Sequence, residues 1–221
     1  MFDNIAHRYD FLNHLLSMGI DKWWRRQVIQ ILKKENARQI LDVATGTADL
    51  AIAISKIDQS KIVGIDISKE MIAMGKQKVA KLDLAKTIQL QIDDAENLSF
   101  EDNSFDACTV AFGVRNFADL RKGLSEILRI LKPGGILIVL EFSKPTIFPV
   151  KQVFGFYFKY LLPTIGKWFS KDAKAYTYLH DSVQVFPEGK NFVQFLDETG
   201  FNKTKCRRLS FGISSIYCGK K

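Results

Sequence analysis

At 221 residues, the chain has room for one sizeable α/β core, and its 47% hydrophobic and 25% charged residues exclude an intrinsically disordered polypeptide. No apolar run approaches the roughly 20 residues that span a bilayer, and residues 1–20 lack the basic-then-apolar order of a secretory signal. A net charge of +8 favours a polyanionic partner, nucleic acid or an anionic bilayer surface, without choosing between them. Three cysteines without a CxxC pair point to a reduced, cytoplasmic setting, and three histidines without ligand spacing argue against a metal site.

In chain order, residues 39–44 read as a strand and 48–57 as a helix, followed by a strand over 61–66. The spacing predicts a helix over 68–83, with Ser68 as its N-cap. Strands are expected at 87–92 and 105–112. A helix over 119–131 places Leu120, Leu124, Ile127, Leu128 and Leu131 on one face. Residues 132–135, KPGG, should stop that helix, and the apolar run 136–142 should be a buried central strand. Beyond 142 the text changes. Residues 144–171 hold five lysines and no acid, amid many Phe, Tyr and Trp. A last helix is expected over 190–201, ending at Gly200, and a closing β-hairpin after it.

This alternation predicts an α/β, Rossmann-like fold with a mainly parallel sheet and a C-terminal antiparallel hairpin. Ligands in such sheets gather at the carboxyl ends of the strands. The first strand runs into QILDVATGTADL, a turn with one glycine, Gly46, where a dinucleotide turn usually has three. Ala44 and Ala48 put methyl groups where a pyrophosphate would have to approach. A nucleoside without phosphate relaxes that demand, and S-adenosylmethionine is such a ligand, its carboxylate still able to use the helix start. Asp66, at the end of the second strand and followed by Ile67, is spaced to accept bonds from ribose hydroxyls. Asp94, with Asp93 as its rival, is placed to face the adenine amino group. Asp42 could orient either the turn or the ligand's ammonium group.

The stretches ILDVATGTADLA, GIDIS and DDAENLSF resemble motifs of class I S-adenosylmethionine-dependent methyltransferases. More closely, RYDFLNHLLSMGIDKWWR (8–25) and RILKPGGILIVLEFSKP (129–145) resemble the two signatures of the C-methyltransferases of menaquinone and ubiquinone biosynthesis. FGVRNF (112–117) and AYTYLHDSVQVFPEG (175–189) are similar to further stretches of that family, so the resemblance covers nearly the whole chain. It implies a seven-stranded sheet and methylation of a ring carbon of a polyprenylated demethylquinol. A naphthoquinol (demethylmenaquinol) is expected before a benzoquinol. By position, Thr47, Asp66, Asp94 and Ala95 correspond to the family's cofactor contacts. Ala44 matches a position that often lacks glycine, and Ala48 one where many members keep it. Ala111 stands where serine is frequent, so a hydroxyl contact is lost. Relatives of this kind carry a short segment before the first signature, so this chain is expected to be cut short or short by nature.

One domain is expected: an N-terminal helical lid segment (1–38), a cofactor-binding core (39–143), a helical substrate-covering insertion (144–188), and a final helix and hairpin (189–221). Ring methylation needs an electron-rich carbon, so the protein must stabilise a developing phenolate. Arg115 is the candidate to hold that charge, unless it merely pairs with an acid such as Asp119. Asn116 is the candidate to position the ring oxygen, and Tyr9, Tyr176 and Tyr178 to line the site. Water, Glu141 or His180 could take the proton, since arginine stays protonated. The lysine-bearing, aromatic stretch 144–171 suits a polyprenyl tail and peripheral contact with an anionic membrane at its inner face, or is an ordinary lid. A homo-oligomer is compatible with the sequence. A nucleic-acid partner is not expected, because the Asp/Asn-Pro-Pro-aromatic motif for base amines is missing where AFGVRNF stands.

Overall fold

The computed structural model describes residues 19–156 and 182–221. In order, they form α1 (Asp21–Lys34), β1 (Gln39–Val43), α2 (Asp49–Ile54), β2 (Lys61–Asp66), α3 (Lys69–Lys81), β3 (Ile88–Ile92), β4 (Phe105–Ala111), α4 (Leu120–Ile130), β5 (Leu131–Phe142), α5 (Val150–Phe156), α6 (Lys190–Thr199), β6 (Asn202–Leu209) and β7 (Ser214–Lys220). The strands make one seven-stranded sheet in the order β3-β2-β1-β4-β5-β7-β6. The first five are parallel, and β7 pairs antiparallel with both β5 and β6. The expected sheet and hairpin are therefore both present. Residues 157–181, the larger part of the expected insertion, lie outside the described residues, as do Tyr9, Tyr176, Tyr178 and His180.

Two apolar layers sandwich the sheet. On one face Trp24, Val28 and Leu32 of α1 pack with Leu50 and Ile54 of α2 and Ile72 and Val79 of α3. Leu124 and Ile127 of α4 pack on the other face with Phe192 and Leu196 of α6. Strands buried on both faces read as continuous apolar runs, and every residue of β5 from Ile136 to Phe142 is buried. Trp24 fixes α1 over the ends of β4 and β5. Its ring lies 6.0 Å from those of Phe112 and Phe142, and its indole N–H donates to the Ser210 hydroxyl at 2.8 Å.

Ser68 does cap α3, its hydroxyl accepting from the Met71 N–H at 3.2 Å. Two elements differ from expectation. The helix read over 48–57 covers only Asp49–Ile54, because Ala48 sits in the left-handed region at φ 69° and Ser55 turns back to donate to the Ile52 carbonyl. The second is KPGG, which belongs to the strand: α4 ends at Ile130 and pairing starts at once, Leu131 opposite Phe105, with a register shift before Ile136 meets Ala107. A side chain at Gly135 would approach the Lys132 carbonyl within 2.8 Å, so glycine lets the bulge form.

Candidate active site

A cavity of about 280 Å³ opens at the carboxyl ends of β1, β2, β3 and β4. Its walls include Asp42, Ala44, Gly46, Thr47, Asp66, Ile67, Asp94, Ala95, Ala111 and Asn116, so ten of the expected site residues converge on one space. Arg115 does not line it. Arg25, Asp49, Asp93, Glu96 and Phe112, none of them singled out for the cofactor site beyond Asp93, do.

The turn after β1 carries three left-handed residues in alternation, Ala44 at φ 53°, Gly46 at 55° and Ala48 at 69°. A methyl at Gly46 would meet nothing within 4 Å, so here glycine serves the backbone angle and keeps the cavity side bare. The alanine methyls are absorbed elsewhere. The Ala44 methyl sits against Gly113, and that of Ala48 against Gly75 of α3, where an added Cβ would be 3.4 Å away. Gly113, outside the turn, thus makes the room for Ala44 that a glycine within the turn usually makes, whereas Ala48 is in ordinary contact range of the Gly75 position. Backbone bonds lock the loop: Thr45 N–H donates to the Ile65 carbonyl and Ala48 N–H to the Thr45 carbonyl, at 2.8 and 2.9 Å.

Asp66 braces the turn while facing the cavity, accepting from the N–H groups of Gly46 and Ser68, both at 2.9 Å. Asp42 is buried beneath the turn and accepts from the hydroxyls of Thr45 and Thr109 at 2.6 and 2.7 Å. Burial pushes its carboxyl up to about 6, only partly offset by those hydroxyls. Of its two expected roles, orienting the turn is the one these contacts perform. Thr47 accepts from Lys78 at 2.6 Å, and Lys78 also reaches Asp49 at 3.0 Å. Asp94 accepts from the Glu96 N–H, whereas Asp93 holds the loop through Ser99.

Arg115 lies in a short 3-10 turn, Val114–Asn116, after β4. Its partner is not Asp119, which instead caps α4 by accepting from the Lys122 N–H at 3.0 Å. Arg115 pairs at 2.5 Å with Glu141 and donates to the Phe112 carbonyl and the Ser182 hydroxyl. The Arg115 side chain is 3% exposed and that of Glu141 0%. Burial raises the Glu141 carboxyl and the Arg115 charge opposes that shift. One Glu141 oxygen, Oε2, is buried without a hydrogen-bond partner.

The ubiE/COQ5 methyltransferase family model matches residues 1–221. The chain belongs to this family. A Bacteroides fragilis protein named demethylmenaquinone methyltransferase is 49% identical over the whole chain and 91% of its own length. A Geotalea daltonii protein named ubiquinone/menaquinone biosynthesis C-methyltransferase UbiE is 47% identical, covering the whole chain and 94% of its own length. Among solved structures, a putative S-adenosylmethionine-dependent methyltransferase from Methanococcus maripaludis superposes with a TM-score of 0.70 at 20% identity. It covers 99% of this chain and 93% of its own, so this ubiE/COQ5-family chain shares that fold.

The cavity's charge suits the methyl donor of such enzymes. Among the described residues, six carboxylates line it (Asp42, Asp49, Asp66, Asp93, Asp94 and Glu96) against one cationic side chain, Arg25. That balance repels a pyrophosphate and favours a nucleoside that carries an ammonium and a sulfonium beside a single carboxylate. Among the described residues no helix is long and apolar enough to cross a membrane.

Proposed function

We propose that this protein transfers a methyl group from S-adenosylmethionine to a ring carbon of a polyprenylated demethylquinol, with demethylmenaquinol as the acceptor. The acid-lined cavity at the strand ends carries this reading. Relatives at 42–49% identity bear the name demethylmenaquinone methyltransferase. Others are named for both ubiquinone and menaquinone biosynthesis, which makes a benzoquinol the second acceptor to assay.

The bound cofactor supplies an electrophilic sulfonium methyl. Asp66 accepts from the ribose and Asp94 from the adenine amino group, with Thr47, Ile67 and Ala95 closing around the nucleoside. Asn116, on the cavity wall, positions the ring oxygen. Arg115, next to Asn116 but behind the cavity wall and paired with Glu141, steadies the phenolate charge by its field as the ring oxygen loses its proton. Glu141 is wholly buried, pairs with Arg115 and does not line the cavity, so its part is to hold the guanidinium in place, which leaves water to take the ring proton. Tyr9, outside the described residues, keeps the substrate-lining role that the family resemblance implies.

Peripheral docking on an anionic bilayer belongs to the same proposal. Exposed Ile147 and Phe148 follow β5, and exposed Phe211 lies in the β6–β7 turn, where Arg208 bonds Thr146. The antiparallel direction of β7 puts that turn at the same end of the sheet as the cavity. Exposed Lys151 lies close in sequence to Ile147 and Phe148, and a surface lysine adds about 1 kcal/mol at an anionic membrane.

The test combines labelled S-adenosylmethionine with short-tailed demethylmenaquinol and with its benzoquinol counterpart. Label should enter the naphthoquinol ring, and Arg115→Ala should lower kcat. Folded protein that binds S-adenosylhomocysteine yet labels neither quinol would refute the acceptor. Near-normal turnover of Arg115→Ala would remove the phenolate role. Vesicle sedimentation at low salt should pull the protein down with anionic lipid and not with neutral lipid; no binding to either ends the docking idea.

A further inference from the structure

The cavity presents an electrostatic difficulty: S-adenosylmethionine ends in a carboxylate, and six acids surround the place it would enter. Three of the turn's amides are occupied, since the Thr45, Gly46 and Ala48 N–H groups already donate to Ile65, Asp66 and Thr45. The helix behind the turn, α2, has only six residues and thus a weak dipole. Lys78 is turned to Thr47 and Asp49 and does not line the cavity.

Among the described residues that leaves Arg25, which reaches the cavity from the second turn of α1 with its side chain 11% exposed. Its Nη1 is held by Asp21, itself buried. Its Nη2 stands 3.7 Å from Asp49, in ion-pair range but beyond a hydrogen bond. Its Nε is buried and has no acceptor, one of three such side-chain atoms among the described residues. Nε and Nη2 form one edge of the guanidinium, and two parallel N–H groups on one edge match the two oxygens of a carboxylate. We propose that Arg25 is the clamp for the amino-acid carboxylate of the methyl donor, with Asp21 holding its far side so that the Nε–Nη2 edge faces the ligand. The buried, unsatisfied N–H is then the signature of a site awaiting an anion, because a group of that kind is otherwise costly. This inference rests on the proposed use of S-adenosylmethionine.

Calorimetry on the full chain tests it with two ligands, S-adenosylhomocysteine and its decarboxylated analogue S-adenosyl-3-thiopropylamine. The wild type should prefer the first. Arg25→Gln should weaken S-adenosylhomocysteine roughly 10- to 100-fold and leave the decarboxylated ligand unchanged, as loss of one charge-assisted contact implies. Arg25→Lys, a point charge without the fork, should recover part of the preference. Asp21→Asn combined with Arg25→Gln avoids stranding a buried carboxylate and should behave like the single variant. Equal weakening of both ligands would make Arg25 a purely structural residue and overturn the clamp, as would an unchanged preference. A wild type that binds neither ligand would instead remove the methyl-donor reading, and the clamp with it.

Discussion

Replacing Asp42 by Asn should change how stability depends on pH. The Asp42 carboxyl is pushed up to about 6 by burial, from an ordinary value of 3.8. A shift of about two units corresponds to roughly 3 kcal/mol between its two protonation states. A raised native pKa means that the folded state binds the extra proton between about pH 4 and 6. The favourable contribution is therefore complete below the unfolded value and lost as pH rises through the native one. Asparagine does not titrate. Its amide can donate to one threonine hydroxyl while its carbonyl accepts from the other, so the contacts to Thr45 and Thr109 can survive. Urea unfolding of both proteins across pH 4–7.5 gives the difference curve. The variant should gain on the wild type as pH rises, by about 1–3 kcal/mol over that window, and level off above pH 6.5. A difference that stays constant across the window would refute the assignment of a destabilising buried charge at Asp42.

Two further substitutions examine the turn and the buried pair. Gly113→Ala would drive a methyl into that of Ala44, so stability should fall by about 1–3 kcal/mol and affinity for S-adenosylhomocysteine with it. Adding Ala44→Gly should restore both, as read by urea unfolding and calorimetry. Glu141→Gln leaves the Arg115 charge buried without its counter-charge and should destabilise by about 3 kcal/mol or more, measured by the urea midpoint.

The legible parts of this molecule were those set by local chemistry. The limits of β2 follow from its short apolar run, and the Ser68 cap from a hydroxyl three residues before the N–H it accepts from. Ten cavity-lining residues were readable because a parallel sheet brings successive strand ends to one rim, so position in a strand becomes position in space. What stayed hidden depends on contacts across long separations. Asp119, four residues beyond Arg115, was the near acid, but it is drawn to its own helix start. Glu141 reaches Arg115 because β5 runs beside β4 with Leu140 opposite Ala111. The compensation of Ala44 by Gly113 leaves no mark within the turn itself. Arg25 was equally obscure: the helical pattern of α1 locates its apolar face, not which of its polar residues overhangs the rim. In KPGG, composition announced a break, whereas the ladder tolerates a bulge there because Gly135 has no side chain.

The reversed direction of β7 has a kinetic corollary. It carries Phe211 to the same end of the sheet as the cavity, beside the segment bearing Ile147 and Phe148, so an enzyme resting on those tips would meet its acceptor in two dimensions. Turnover would then follow the mole fraction of quinol within the lipid rather than its bulk concentration. Diluting a fixed amount of quinol with inert lipid would slow the reaction without any change in the aqueous phase.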